Sequence, residues 1–254
     1  MKETIYTIPV TEAFSVDCEC PMCLLEKDCE EKSVEYFLGP SLMEPDVRIE
    51  TNKKGFCKRH YELMYIKKAN QLGLGLMIDT HLCEKNALLN KVYAKYGGKS
   101  KKETQASLLK RMTSKSNSTE VLVDNLINEI DSILASCIIC EKINYTMDKF
   151  IDVILYLYFH ETDFQKIFQS KKGFCLKHLR MLLEGGKKHL NTRQLAVFTE
   201  NLMTMELENL NRIQEEVNWF TKKFDYKNKD KPWGNSKDSL SRAIEKITGY
   251  CKLV

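Results

Sequence analysis

The sequence predicts an all-α protein, a helical bundle of two duplicated lobes, each organised around a metal site of three cysteines and one histidine (Cys3His). Three observations lead to this prediction. Apolar residues recur at helical spacing through most of the chain, and strand-like alternation is nearly absent. Only 5 prolines and 11 glycines interrupt 254 residues, so long helices can run unbroken. One set of metal-ligand residues occurs twice, in the same order.

The first half is predicted to be helical apart from its start and one connection. Residues 1–17 have a mixed apolar pattern that favours a short extended arm. Residues 42–52 are polar and aperiodic, and Pro45 disfavours helical geometry at the residue before it. We therefore expect an irregular connection there. Amphipathic spacing predicts the remaining helices, over residues 23–38, 57–72 and 74–96.

The second half repeats this order of parts, which indicates an internal duplication. Gly97-Gly98 ends the long helix, and Gly185-Gly186 is predicted to end a later one. The predicted helices of this half cover residues 121–134, 143–159, 175–183, 192–224 and 239–250. We expect four segments: a first repeat over residues 1–98, a basic linker over 99–118, a second repeat over 119–224, and a C-terminal loop and helix over 225–254.

The repeated motif is Cys-x-x-Cys followed by Gly-Phe-Cys-x-x-His, with 33 residues between the second and third cysteine in the first copy and 34 in the second. Three thiolates and one imidazole make a closed tetrahedral set for zinc, so we expect two structural zinc ions. We expect each ion to join the two motifs of its own half. The predicted ligands are Cys20, Cys23, Cys57 and His60 in the first half, and Cys137, Cys140, Cys175 and His178 in the second.

Two alternatives concern the first site. Cys18 lies so close to Cys20 and Cys23 that it could replace Cys20, although the parallel with the second half favours Cys20. The dense cysteines, with Cys29 nearby, also raise an iron–sulfur cluster as an alternative cofactor. Such clusters usually take four cysteines, whereas both motif sets here include a histidine.

Composition limits the compartment and the partners. The amino terminus lacks the basic start and apolar run of a signal peptide, and the longest apolar stretch, residues 150–159, is too short to cross a bilayer. We therefore expect a cytoplasmic protein with no membrane contact, in which clustered thiols bind metal rather than form disulfides. The net charge of +4 is too small to indicate nucleic-acid binding by itself.

Several weaker signals stand outside the motif. Residues 44–52 could form an acid/base site, and His160 with Asp163 could support His178, but the residues favour an ordinary loop and a helix-end cap. Aromatic residues and lysines alternate over residues 219–233, a pattern that suits either a stacking surface or a lid over the helical core.

The paired motifs, the stretch Met43–Asn52 and the ending around Phe220–Tyr226 and Pro232-Trp-Gly resemble an uncharacterised family of anaerobic Firmicute bacteria, classed as a domain of unknown function. The resemblance spans roughly residues 5 to 250. It implies a bacterial cytoplasmic protein and transfers no activity or catalytic residue.

The sequence therefore predicts a zinc-binding scaffold or interaction protein whose partner is a protein, with no assignable reaction. One alternative is a thiol-redox sensor or metalloenzyme that uses Cys18 and Cys29, since basic residues nearby lower thiol pKa values. A second alternative is a nucleic-acid-binding module that uses the linker over residues 99–118 and the aromatic, lysine-rich tail.

Overall fold

A computed structural model of the protein describes residues 5–97 and 111–251, and these residues form helices and turns without any strand. The predicted all-α fold is confirmed. The α-helices are α1 Thr7–Ser15, α2 Pro21–Leu38, α3 Pro45–Lys54, α4 Lys58–Lys67, α5 Gln71–Gly97, α6 Arg111–Ala135, α7 Ile138–His160, α8 Thr162–Gln169, α9 Leu176–His189, α10 Thr192–Lys222 and α11 Ser239–Thr248. Short 3-10 turns cover Pro40–Met43, Tyr226–Asn228 and Gly234–Ser236.

The chain forms two compact units, which divide it at other points than the predicted segments do. The first unit contains Met1–Cys29 and Ile143–Val254, and the second unit contains Glu30–Lys142. Helices α2 and α7 each contribute residues to both units. The first unit therefore combines the amino-terminal segment with most of the second half of the sequence.

Aromatic side chains form the core of the first unit. The ring centroid of Phe14 in α1 lies 5.8 Å from that of Phe168 and 6.2 Å from that of Phe174. Tyr158 of α7 and Phe198 of α10 pack edge to face, with centroids 5.2 Å apart. All five side chains are almost fully buried, so this cluster holds α1, α7, α8 and α10 around the segment that precedes α9.

The second unit is built around α5, against which α3 and α6 pack. Its core includes Met64, Leu74 and Met77, all almost fully buried. The guanidinium of Arg48 in α3 donates to the Leu76 carbonyl at 3.2 Å and to the Thr80 hydroxyl at 3.0 Å. These hydrogen bonds fasten α3 along α5.

Three local predictions are wrong. The expected extended arm contains helix α1, because Val10, Ala13 and Phe14 bury one helical face. The expected irregular connection contains helix α3, which begins at Pro45, where a fixed φ is favourable and no N–H is needed. Helix α9 does not end at Gly185 but continues to His189. A Cβ at Gly185 would lie 2.3 Å from Ile151 Cγ2, so the glycine permits close packing instead of ending the helix.

The predicted linker lies partly outside the described residues, which resume at Arg111 with the start of α6. None of the described helices is both long enough and apolar enough to span a membrane.

Candidate metal centres

The first centre consists of Cys20, Cys23, Cys175 and His178, all in the first unit and all buried. Cys20 and Cys23 lie at the start of α2, and Cys175 is the residue that precedes α9. The Sγ atoms of Cys23 and Cys175 are 3.6 Å apart. The Nδ1 atom of His178 lies 3.1 Å from the sulfur of Cys175 and 3.4 Å from those of Cys20 and Cys23.

The second centre consists of Cys57, His60, Cys137 and Cys140, all in the second unit. Cys57 precedes α4, and Cys137 precedes α7. The Sγ atoms of Cys57 and Cys140 are 3.7 Å apart, and the Nδ1 atom of His60 lies 3.2 to 3.4 Å from all three sulfurs. His60 and Cys137 are buried, whereas Cys57 and Cys140 are partly exposed.

The structure brings together all eight predicted ligands but pairs their motifs differently from the prediction. Each Cys-x-x-Cys motif meets the Gly-Phe-Cys-x-x-His motif of the other half of the sequence. The expected pairing of Cys23 with Cys57, and of Cys140 with Cys175, is therefore wrong. The first centre contains Cys20, so Cys18 is not its replacement.

The interatomic distances fit a tetrahedral ion. Zinc–sulfur bonds of about 2.3 Å and zinc–nitrogen bonds of about 2.0 Å require S···S edges of about 3.8 Å and S···N edges of about 3.5 Å. The observed S···S edges are 3.6 Å from Cys23 to Cys175 and 3.7 Å from Cys57 to Cys140, and the S···N edges are 3.1 to 3.4 Å. The sulfurs are too far apart for disulfides, and none of the ten cysteines forms one.

Helix termini position the thiols. In both centres the ligands come from residues at or just before the first turn of a helix. Backbone N–H groups and the helix dipole at such a terminus favour negative charge, so thiolates are stabilised there. This placement explains the motif: a Cys-x-x-Cys or Cys-x-x-His spacing presents two ligands from one first turn.

A glutamate of α2 approaches the outer nitrogen of each histidine. The Nε2 atom of His178 lies 3.3 Å from Glu26, and the Nε2 atom of His60 lies 3.3 Å from Glu30. Both nitrogens are buried, and neither has another hydrogen-bond partner among the described residues. A carboxylate there favours the tautomer that keeps Nδ1 free for a metal. The motif predicted neither glutamate, because both lie outside it.

Close contacts shift the pKa values of the ligands in the second centre, and burial beside Cys137 raises the pKa of the Cys140 thiol. Burial raises the pKa of the Cys137 thiol, but hydrogen bonding to His60 and to backbone groups outweighs it and lowers that pKa to about 6. Burial lowers the pKa of the His60 imidazole, but contacts with Cys137 and Glu30 outweigh it and raise that pKa to about 10. A thiolate paired with an imidazolium is a set in which a metal ion can replace the proton.

Helix α11 fastens the two ligand segments of the first centre. The ammonium of Lys246, which is 1% exposed, donates to the backbone carbonyl of Glu19 at 3.1 Å and to that of Lys172. These carbonyls precede the two ligand motifs directly. The buried carboxylate of Glu206 accepts the Phe174 N–H at 2.7 Å. The sequence gave no local sign that Lys246 binds these carbonyls, because Lys246 lies 74 residues after Lys172.

The second centre is fastened by a glycine in the left-handed region. Gly55 has φ +62°, and a side chain there would lie 2.5 Å from the His81 ring. The Nδ1 atom of His81 lies 2.7 Å from the Asn52 carbonyl oxygen, which holds the ring in place. The Gly55 carbonyl accepts the Ile138 N–H at 3.1 Å and so joins the two ligand segments.

The weaker sequence signals lie outside both centres. Residues 45–54 form α3, whose Arg48 binds α5. The His160 ring stacks on Tyr156 with centroids 4.3 Å apart. In the tail, the Phe220 ring packs against Trp233, and the Lys223 ammonium donates to backbone carbonyls of the same loop. Some of the aromatic residues and lysines of this stretch therefore pack on one another, whereas Phe224 and Tyr226 are exposed.

The fold and the two quartets define the class: an all-helical protein with two Cys3His groups able to hold metal ions. No curated protein and no solved structure matches the chain. The family described as "Family of unknown function (DUF6062)" matches residues 1–253, and the chain belongs to that family.

Proposed function

We propose that the protein is a zinc-binding helical scaffold in which each Cys3His quartet holds one structural zinc ion. The observation that carries the proposal is the convergence of each quartet, with ligand atoms within 4.8 Å of one another. Three thiolates and one imidazole fill all four tetrahedral positions and leave none for substrate, which favours a structural role over a catalytic one.

Ligation would join distant parts of the chain. In the first centre, Cys23 and Cys175 are 152 positions apart, and in the second centre His60 and Cys137 are 77 positions apart. Closing such long loops constrains the unfolded chain, and metal binding adds directly to the free energy of folding. The histidine in each quartet favours zinc over an iron–sulfur cluster, which usually takes four cysteines.

Metal analysis of the full-length protein, purified without oxygen or added metal, tests this proposal. We expect two equivalents of zinc and a large fall in the melting temperature after chelation. Iron with visible charge-transfer absorption would support the cluster instead. A protein that is metal-free as isolated, binds no zinc on titration and keeps its melting temperature in chelator would refute the proposal.

We further propose a reducing compartment, the cytoplasm, and a protein partner. The absence of disulfides among the ten cysteines supports the compartment, since thiols of this number tend to oxidise outside reducing conditions. A partner protein is what a closed, structural metal scaffold is commonly used to bind. Pull-down from the native host followed by binding of the purified candidate to the purified protein would test this part.

A thiol-redox role is the second candidate. The extra thiols Cys18 and Cys29, on which the sequence placed this role, are partly exposed, as are the ligands Cys57 and Cys140. Zinc release on titration with hydrogen peroxide would support this role, and retention of zinc at excess peroxide would exclude it.

In the stretch on which the nucleic-acid alternative depends, the Trp219 indole N–H donates to the Pro232 carbonyl, while Phe224 and Tyr226 are exposed. Most of the proposed linker lies outside the described residues.

A further inference from the structure

Helix α6 packs against α5 in the second unit and exposes apolar residues on another face. Its side chains Leu122, Leu126 and Ile133 are partly buried, as expected at a contact between helices. Four other apolar side chains are between 44% and 71% exposed, and we call them the α6 stripe: Val123, Ile127, Ile130 and Leu134. Apolar residues that adjoin one another on a surface mark an interaction site.

The spacing of the α6 stripe suits contact with a second helix. Its members follow one another after four, three and four residues. This is the spacing of the apolar seam in a coiled coil, in which the side chains of one helix fit between those of the other. The stripe extends over about 16 Å of α6, or three turns. The shape of the stripe therefore favours a helix as its partner.

An acidic edge borders the stripe on one side. At about 100° per residue, Glu120, Asp124 and Asp131 lie within about 60° of Ile127, all in the same direction around the helix. All three are exposed, and among the described residues none of them pairs with a lysine or arginine. Residues 116–141 contain no basic residue at all. The charge beside the stripe is therefore negative and uncompensated.

An apolar cavity adjoins one end of the stripe. Leu134 also lines a cavity of about 630 Å³ within the second unit, and the other walls include Tyr65 and Leu82. These two side chains are 63% and 61% exposed, so the cavity opens to the surface between apolar groups. Bulky side chains that fill such cavities contribute much of the binding free energy at protein interfaces. The stripe and the cavity form one apolar surface.

The negative charge of the acidic edge selects among possible partners. Nucleic acids and anionic lipid surfaces would be repelled. Two α6 helices that paired through their stripes would bring only acidic residues to the contact, because residues 116–141 contain no basic one. A helix with lysine or arginine beside its apolar residues would be attracted.

We propose that the α6 stripe and the adjoining cavity bind a basic amphipathic helix of a partner protein. This proposal rests on the proposed protein partner and specifies its chemistry. The apolar residues of the partner helix lie between those of the stripe, and a bulky side chain enters the cavity. Its lysine or arginine residues lie beside the acidic edge, where the opposite charges speed association and fix the orientation of the helix.

Fluorescence anisotropy with three labelled synthetic peptides and the full-length protein tests the proposal. The lysine peptide has about four heptads, with leucine at positions a and d and lysine at e and g. The glutamate peptide has glutamate in place of each lysine, and the scrambled peptide has the composition of the lysine peptide without its seam. We expect the lysine peptide to bind about tenfold more tightly than either of the others, and salt to weaken its binding.

Two substitutions test the stripe with little effect on the helix, because glutamine is a good helix former. Ile127→Gln and Leu134→Gln should each weaken binding of the lysine peptide about fivefold, since each removes one aliphatic side chain from the contact. The matched control is Ile49→Gln in α3, at a side chain that is 61% exposed and lies outside the surface. It should leave binding unchanged.

A double charge reversal tests the acidic edge. Asp124→Lys combined with Asp131→Lys should weaken binding of the lysine peptide about tenfold and strengthen binding of the glutamate peptide. The matched control, Glu31→Lys combined with Glu44→Lys, changes the net charge equally at two exposed positions outside α6. It should preserve the preference for the lysine peptide. The melting temperature of each variant shows whether it is folded.

Several results would overturn the proposal: equal binding of the lysine peptide and either other peptide, unchanged binding in both glutamine variants, or a homodimer in sedimentation that Ile127→Gln dissociates. The partner recovered by pull-down is then measured with the same variants. If it binds Ile127→Gln and Leu134→Gln as tightly as the unchanged protein, the proposed function keeps its partner while this surface is refuted. Zinc is quantified separately, so failure of the zinc proposal leaves the peptide measurements unaffected.

Discussion

Replacing Cys175 by serine tests which segments of the chain share an ion. The Cys175 sulfur lies 3.6 Å from that of Cys23, 152 positions earlier in the sequence. The variant should therefore weaken metal binding at Cys20 and Cys23. Pairing within each half, as the sequence first indicated, would transfer the effect to Cys137 and Cys140 instead.

The magnitude follows from the free energy of the whole site. Structural zinc sites contribute about 10–16 kcal/mol in small peptides, so one of four equal ligands accounts for about 3 kcal/mol, roughly a 150-fold loss of affinity. Cys175 is 0% exposed, so no water can readily take the vacated ligand position. The serine hydroxyl is also a poor zinc ligand at neutral pH, because ligation requires the deprotonated group.

Labelling by iodoacetamide under a limiting concentration of chelator, read by mass spectrometry, measures protection at each thiol. In the Cys175→Ser protein we expect Cys20 and Cys23 to lose protection about 100-fold, while Cys137 keeps its own. The matched control is Cys83→Ser, which removes an exposed thiol and should change neither centre. Loss of protection at Cys137 with Cys23 still protected would refute the pairing.

Other substitutions test the surroundings of the centres. Lys246→Met should speed zinc loss from the first centre in a chelator competition assay. Lys223→Met, which removes a buried lysine that donates to the Asn228 carbonyl and to no ligand segment, should not. Phe14→Ala should cost about 3–5 kcal/mol in denaturant unfolding, because it empties a fully buried site. Ile8→Ala on the same helix, at a side chain 62% exposed, should cost much less. Glu30→Gln should weaken zinc binding at the second centre about 10- to 100-fold by competition titration, and an unchanged affinity would show that the carboxylate does not orient His60.

The helical fold was readable from the sequence where periodicity extends over several turns. Long helices such as α7 and α10 carry enough apolar repeats to be recognised. Two of the three local errors are short helices that were missed, α1 with 9 residues and α3 with 10. So few turns give little periodic signal, and Pro45 can either break a helix or begin one.

The identity of the ligands was readable, but their pairing was not. The two copies of the motif have the same residues in the same order, so either pairing yields three cysteines and one histidine. The spacing is also nearly equal in both halves. Neither ligand chemistry nor sequence separation can therefore distinguish pairing within a half from pairing between halves.

Ion pairs beside the motifs contribute little to the choice of partner. The lysine that precedes the glycine of each motif forms one: Lys172 lies 2.7 Å from Asp17, and Lys54 lies 2.7 Å from Glu141. All four side chains are at least a quarter exposed. Ion pairs with this exposure contribute little to the free energy of folding, because water and salt screen them.

Buried packing must therefore select the partner. A zinc ion would stabilise either pairing equally, since the donor atoms are the same, so the metal cannot choose between them. Phe14, six residues before Cys20, is fully buried against Phe174, the residue before Cys175. The free energy gained by burying Phe14 is several times that of an exposed ion pair. The amino-terminal Cys-x-x-Cys motif thus reaches its distant partner because the preceding helix carries the aromatic residue that completes that partner's core.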